Sequence, residues 1–242
     1  MSAPTPTDNL VSARRILREG ALPTTAKRLK IPADVVERLA ADGLTQCLGV
    51  LGPIDTEHAG WALLMSGIRI ARSADELVPS SGRRRSHTAF NVGVLWAGLV
   101  SAVAGDRLVA GAGELTPDAD WEPGPDAHGA KRLAVELADS LLDPVSSPEA
   151  RHRFTTDSLT ELDDELEGLS HGPAGWMLCA FGVWVGSGVG GVATPLTRRN
   201  TLGLGRVTHP RKAIDGCALA GALLAETGVA LLGGTEPGVS VG

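Results

Sequence analysis

The sequence predicts a mainly α-helical protein: an N-terminal trihelical module, then a helical region with two or three apolar helices. Three observations predict it. Apolar residues recur at helical spacing near the N-terminus and again in the middle of the chain. Two long runs carry no charge, Thr88 to Gly105 and Gly172 to Thr197. Charge is also segregated: residues 1–87 are net positive, 106–171 strongly net negative, and 172–214 hold basic residues with no acidic one. The alternative is an α+β soluble domain, in which "WMLCAFGVWV" is a buried strand ending in a glycine turn and Trp96 and Trp176 are core residues.

The elements follow in order. In "LVSARRILREG", Leu10, Ala13, Ile16 and Leu17 share one face, so residues 9–19 read as an amphipathic helix stopped at Gly20. After a break at Pro23 comes "TTAKRLKIPADVVERLAADGL". Here Ala26, Leu29, Ile31, Val36 and Leu39 suit two short helices crossing through a turn, with Thr24 or Thr25 as cap, Pro32 in the turn and Gly43 at the end. Residues 1–46 form this module, 47–86 a linker with short elements, and 87–242 an apolar helical domain with an acidic insert at 106–171.

That N-terminal pattern resembles the helix-turn-helix of bacterial regulators. The resemblance implies DNA as a partner and makes Ala33 to Ala41 the recognition helix, with Lys27, Arg28, Lys30 and Arg38 as the nucleic-acid-binding residues. Against it, the would-be recognition helix presents Asp34, Glu37 and Asp42 beside a single arginine, and carboxylates near phosphates oppose binding.

The uncharged runs are long enough to cross a membrane, where about 20 apolar residues are needed. Arg83 to Arg85 precede the first run and Arg198 and Arg199 follow the second, which would place both arginine clusters and the N-terminus in the cytoplasm. A third stretch, Cys217 to Gly234, contains Glu226, which would need a partner in lipid. Between the runs, Leu133, Leu137 and Leu141 form one apolar stripe. Leu159, Leu162 and Leu166 form another, with Ser158 as a capping residue and Gly168 as a stop.

Composition sets bounds on this reading. A chain of 242 residues can bury a real core, yet it has no Tyr, three Phe and 31 Gly, so small residues must do much of the packing. Cys47, Cys179 and Cys217 are too far apart for a zinc motif, and the six histidines have no i, i+4 pair. Gly186, Gly188 and Gly191 spell G-x-G-x-x-G, but Pro195 and the absence of an acid before Asp215 argue against a dinucleotide loop. Gly238 to Gly242 spells G-x-S-x-G without a following helix or histidine.

No cofactor, metal or catalytic residue is therefore assigned. The reading is a non-enzymatic, membrane-associated regulatory or accessory protein acting through a protein partner or self-association. The second reading is a soluble cytoplasmic DNA-binding regulator with a ligand-sensing or dimerising domain, and the third a nucleotide-binding enzyme.

Overall fold

The computed structural model describes residues 8–75, 84–111, 122–142, 148–166, 168–188, 191–197 and 210–233, and among them there is no strand. The helices are α1 (Asp8–Arg15), a π-helical segment (Ile16–Ala21), α2 (Leu22–Leu29), α3 (Ala33–Leu51), α4 (Thr56–Arg72), α5 (Arg84–Ala110), α6 (Pro125–Leu142), α7 (Pro148–Glu165), α8 (His171–Gly186), α9 (Thr194–Thr197) and α10 (Pro210–Gly233). The mainly α expectation holds and the α+β alternative does not, since "WMLCAFGVWV" lies wholly within α8. One buried cluster runs from Leu17 to Leu232. Trp61, Trp96 and Phe181 are its largest fully buried side chains.

Several expected boundaries move. The first helix does not stop at Gly20 but continues through the π-helical segment into α2. Pro23 has no N–H and would crowd the carbonyl four residues back. The wider π spacing, in which Leu22 N–H donates to Leu17 O, carries the helix past it. Nor does Gly43 end α3. It is buried mid-helix, where a Cβ would come 2.8 Å from the rings of Phe181 and Trp184. The α2–α3 turn is made by Lys30, which sits in the left-handed region at φ 54°.

In α6 the core face is Ala127, Ala130, Ala134 and Ala138, while Leu133 is 49% exposed. Alanines let α6 lie close against its neighbours; Leu137 is half-buried against the core beside Gly186, and Leu133 projects outward. Ser158 does not cap α7. It sits mid-helix, donating its hydroxyl hydrogen to Phe154 O, whereas Leu162 and Leu166 are buried as the spacing predicts.

The uncharged run 172–197 is not one long helix, because α8 ends at Gly186 and is followed by Gly188 and Gly191 at positive φ. Sixteen residues of α8 span about 24 Å, short of the roughly 30 Å hydrocarbon layer. Among the described residues, two helices are long and apolar enough to cross a membrane, Thr88–Ala110 within α5 and Pro210–Gly233, α10. The helix carrying Glu226 is thus one of the pair. Arg83, Arg198, Arg199 and the G-x-S-x-G sequence lie outside the described residues, as do the side chains of Arg84 and Arg85.

Helix crossings in the core depend on glycine. Gly60 and Gly67 of α4 meet Gly105 and Gly98 of α5, and Gly175 and Gly182 of α8 meet Gly228 and Gly221 of α10. In each helix the two glycines are two turns apart, so they fall on one stripe. At Gly67 a Cβ would lie 2.7 Å from the Gly98 carbonyl oxygen, a distance no side chain survives.

The two crossings are copies of one another. "AGWALLMSG" (59–67) in α4 returns as "AGWMLCAFG" (174–182) in α8. Gly93, Ala97, Gly98, Ala102, Gly105 and Leu108 of α5 return as Gly216, Ala220, Gly221, Ala225, Gly228 and Leu231 of α10. Asp42, Leu44, Thr45 and Leu51 of α3 match Asp157, Leu159, Thr160 and Leu166 in and just after α7, and "ARRILREGA" (13–21) matches "AKRLAVELA" (130–138) of α6.

The halves meet where α5 crosses α10. A Cβ at Gly93 would strike the Ala213 carbonyl and one at Gly216 the Phe90 carbonyl. Since 93 corresponds to 216 and 90 to 213, the contact is reciprocal, as a local two-fold axis requires.

Overpacking at this axis sets a test. Gly216→Ala should lower the unfolding free energy by about 2–3 kcal/mol, read as a reduced denaturant midpoint at constant slope. Gly20→Ala, where nothing lies within 4 Å, should be neutral or stabilising by up to about 1 kcal/mol.

Candidate functional site

Buried charge is concentrated where the N-terminal helices meet the core. Asp106 of α5 is 3% exposed and accepts from Arg14 Nε at 2.6 Å and from Arg18. Arg18 also pairs with Glu37 of α3, which takes Arg107 at 3.2 Å. The Arg14 guanidinium lies 5.8 Å from the Trp61 ring centroid. A buried carboxylate left without partners is costly, and here its partners fasten α1 and the π-helical segment to α3 and α5. Every member of the cluster is engaged with another, so it reads as a clasp.

A second polar cluster caps α4. Asp55 accepts from the backbone N–H groups of Glu57 at 3.0 Å and His58 at 3.1 Å, and its carboxylate also holds His58 Nδ1. Burial raises the Asp55 pKa, but the hydrogen bonds from His58 and Glu57 together with the His58 charge outweigh it, leaving the carboxyl below its ordinary 3.8.

The residues expected to bind nucleic acid stay on the surface: Lys27 and Arg28 on α2, Lys30 in the turn and Arg38 on α3 are all exposed. The exposed side of α3 also carries Asp34 and Asp42, while Glu37 is occupied by Arg18 and Arg107. Two free carboxylates beside Arg38 give a phosphate backbone little to hold.

The glycine sequence behaves as a helix end. Gly186 closes α8, Gly188 and Gly191 adopt φ of 72° and 64°, and Trp96 Nε1 donates to Val192 O at 2.8 Å, tying the turn to α5. α9, the helix that follows, has only four residues, too few to present an anion-binding terminus. Among the described residues no three His, Cys, Asp or Glu side chains gather as a metal site.

What the fold does build is a cleft of about 500 Å³ between α3, the first turns of α6 and the C-terminal half of α8. Its apolar lining includes Cys47 and Val50 of α3, Leu133 of α6, and Val183 and Trp184 of α8. Gln46, Asp126, Arg132 and Ser187 supply polar groups. Three sequence features shape it. The missing side chain at Gly43 lets the Trp184 ring lie against α3. The alanine face of α6 seats that helix while Leu133 projects outward. Val50, 39% exposed near the end of α3, forms the opposite lip.

Trp184 is 5% exposed, and its indole N–H is buried without a hydrogen-bond partner. Burial pushes the Cys47 thiol up to about 12, so it is a neutral wall atom at physiological pH rather than a thiolate. Asp126 and Arg132 cancel in charge. The cleft therefore offers aliphatic and aromatic surface with weak polar orientation and no net charge. None of these residues was singled out as a binding residue from the sequence. They come from segments 46–50, 125–133 and 180–187, joined only by folding.

The Asp55 cap gives a pH signature. Asp55→Ala should cost about 1 kcal/mol at pH 7. A depressed carboxyl stabilises the fold above its unfolded value, so wild type and variant should converge as pH falls below about 3.8. A gap that persists at pH 2 would contradict the assignment.

No protein-family model matches the chain, and no curated protein or solved structure is recognisably similar to it.

Proposed function

We propose that this protein is a non-enzymatic binding protein that holds a neutral, largely apolar small molecule in the cleft between α3, α6 and α8. The observation that carries the proposal is the cleft itself. At about 500 Å³ it lies within the ordinary range for small-molecule sites, and its lining pairs large apolar side chains with a few polar groups. Val50 and Leu133 are exposed there to water, which costs free energy that a ligand covering them would recover. The self-cancelling Asp126 and Arg132 favour an uncharged guest.

The water-facing character of the surrounding helices supports a soluble bundle. In the most apolar stretches of α5 and α10, 78% and 72% of residues are buried inside the protein. The helices around them carry charge: Asp34, Arg38 and Asp42 on α3, Arg132 and Glu136 on α6, Asp157, Asp163 and Asp164 on α7.

Titration with a neutral naphthylamine fluorophore tests the proposal. A saturable rise in emission is expected, and Val183→Trp, which fills the cleft, should weaken binding at least tenfold. A signal absent from the wild type, or untouched by that variant, would remove the reading.

A second reading keeps membrane association, with a regulatory or accessory role through partner contacts, because α5 and α10 are long and apolar enough to span. Membrane fractionation followed by an alkaline carbonate wash separates the two. Recovery in the supernatant supports the soluble binding protein, and retention in the pellet supports the second reading.

A further inference from the structure

A second cavity, of about 180 Å³, lies between the N-terminal helices, α4 and α5. Its relation to the larger cleft follows from the internal repeat. Ala13 and Ile16 line it where Ala130 and Leu133 line the larger one, and Ile68 and Arg72 line it where Val183 and Ser187 do. Both cavities thus lie between the matched segments 13–21 or 130–138 and the C-terminal half of α4 or α8. The remaining wall differs. In the second repeat it is α3, reached across the axis, whereas in the first it is α5, through Leu95, Leu99 and Ala102.

The chemistry has also diverged. The smaller cavity is walled mainly by aliphatic side chains, and among the described residues the only charged group lining it is Arg72, in the last turn of α4. Arg72 is exposed and has no ion-pair partner among the described residues, unlike Arg69 one turn earlier, which pairs with Asp157 and Glu161. An aliphatic slot with a single available guanidinium at its edge matches a ligand with a short hydrocarbon chain and one carboxylate, which a guanidinium can hold by two parallel hydrogen bonds.

We propose that the chain carries two ligand sites, one per repeat, and that the smaller takes a short-chain carboxylate with its acid group on Arg72 and its chain against Ile16, Ile68 and Leu99. The proposal rests in part on the larger cleft being a ligand site, since two of its walls, those of α6 and α8, correspond by the repeat to walls of the smaller cavity. Their chemistries differ, so the sites can be tested separately.

Calorimetric titration of the full chain with hexanoate should show one saturable site, with methyl hexanoate bound at least tenfold more weakly. Arg72→Gln, a change at an exposed position that spares the packing, should weaken hexanoate at least tenfold. Leu99→Trp should abolish it by filling the slot. Neither variant should alter titration with the neutral naphthylamine fluorophore.

The proposal is overturned if hexanoate fails to bind, if Arg72→Gln binds it as wild type does, or if Val183→Trp in the larger cleft is what removes it. If hexanoate binds through Arg72 while the fluorophore finds no site, the smaller cavity stands and the reading of the larger one falls. Fluorophore binding without hexanoate binding gives the reverse outcome.

Discussion

Four helices in this protein approach until backbone touches backbone, and that closeness governs the rest of the structure. α4 against α5, α8 against α10 and α5 against α10 each cross where one helix's glycine faces the other's carbonyl. A Cβ at such a point has nowhere to go, so the positions of Gly60, Gly67, Gly93, Gly98 and their counterparts fix both register and crossing point. Close approach brings dispersion and weak Cα–H···O contacts over a long seam. It also explains how a chain with no Tyr and only three Phe fills a core: Ala and Gly bring the helices together, and Trp61 and Trp96 are fully buried among them. Glycine costs helix propensity wherever it appears, so these helices owe their stability to packing rather than to their intrinsic preference.

The same seam decides where a ligand site can form. α8 spends one face on α10 through Gly175 and Gly182, leaving Phe181 and Trp184 to meet α3 and Gly186 to meet Leu137 of α6. Three helices converging on one helix end, with a tryptophan between them, do not close completely. The clasp of Arg14 and Arg18 on Asp106 does comparable work in the first half, fixing the N-terminal helices by charge where α6 is fixed by an alanine face. A seam of charges holds helices at the reach of an arginine side chain. A seam of alanines holds them at the reach of a methyl group, so the two halves pack differently around equivalent cores.

How much of this was legible in the sequence depends on what each signal encodes. Uncharged runs and helical spacing report burial and element type, so the helical class and the apolar character of α5 and α10 could be read directly. Glycine is ambiguous. In 172–197 it suggested a cofactor loop or a strand turn. Folding shows two jobs: Gly175 and Gly182 allow helix contact, while Gly188 and Gly191 take positive φ beyond the helix end. In α6 the leucine signal holds for Leu137, which packs on the core, but not for Leu133, because alanine, a weaker hydrophobic signal, forms the fully buried face. The repeat was present as letters but rests largely on Gly and Ala, which are frequent throughout this chain. The matched glycine contacts of the two crossings and the reciprocal contact at Gly93 and Gly216 give those letters weight. The cleft was not legible at all, because its walls are separated by some of the longest stretches of the chain.

Divergence between the repeats explains why only one of two equivalent helix crossings is open. Where α4 meets α7, Arg69 lies 3.3 Å from Asp157, pairs with Glu161, and has its guanidinium 5.4 Å from the Phe154 ring centroid. By the repeat, Arg69 corresponds to Trp184, Ser158 to Gly43 and Glu161 to Gln46. Opposite charges draw the α4 and α7 surfaces together, and that crossing leaves no room even for a water-sized guest. At the other crossing the arginine is replaced by a planar ring and its acid by an amide, so no ionic attraction closes the gap. A glycine beneath the ring lets it lie flat, and the space it leaves is walled by α6. One repeated arrangement thus has two physical outcomes, a sealed ionic seam and an open apolar cleft, decided by the side chains at three corresponding positions.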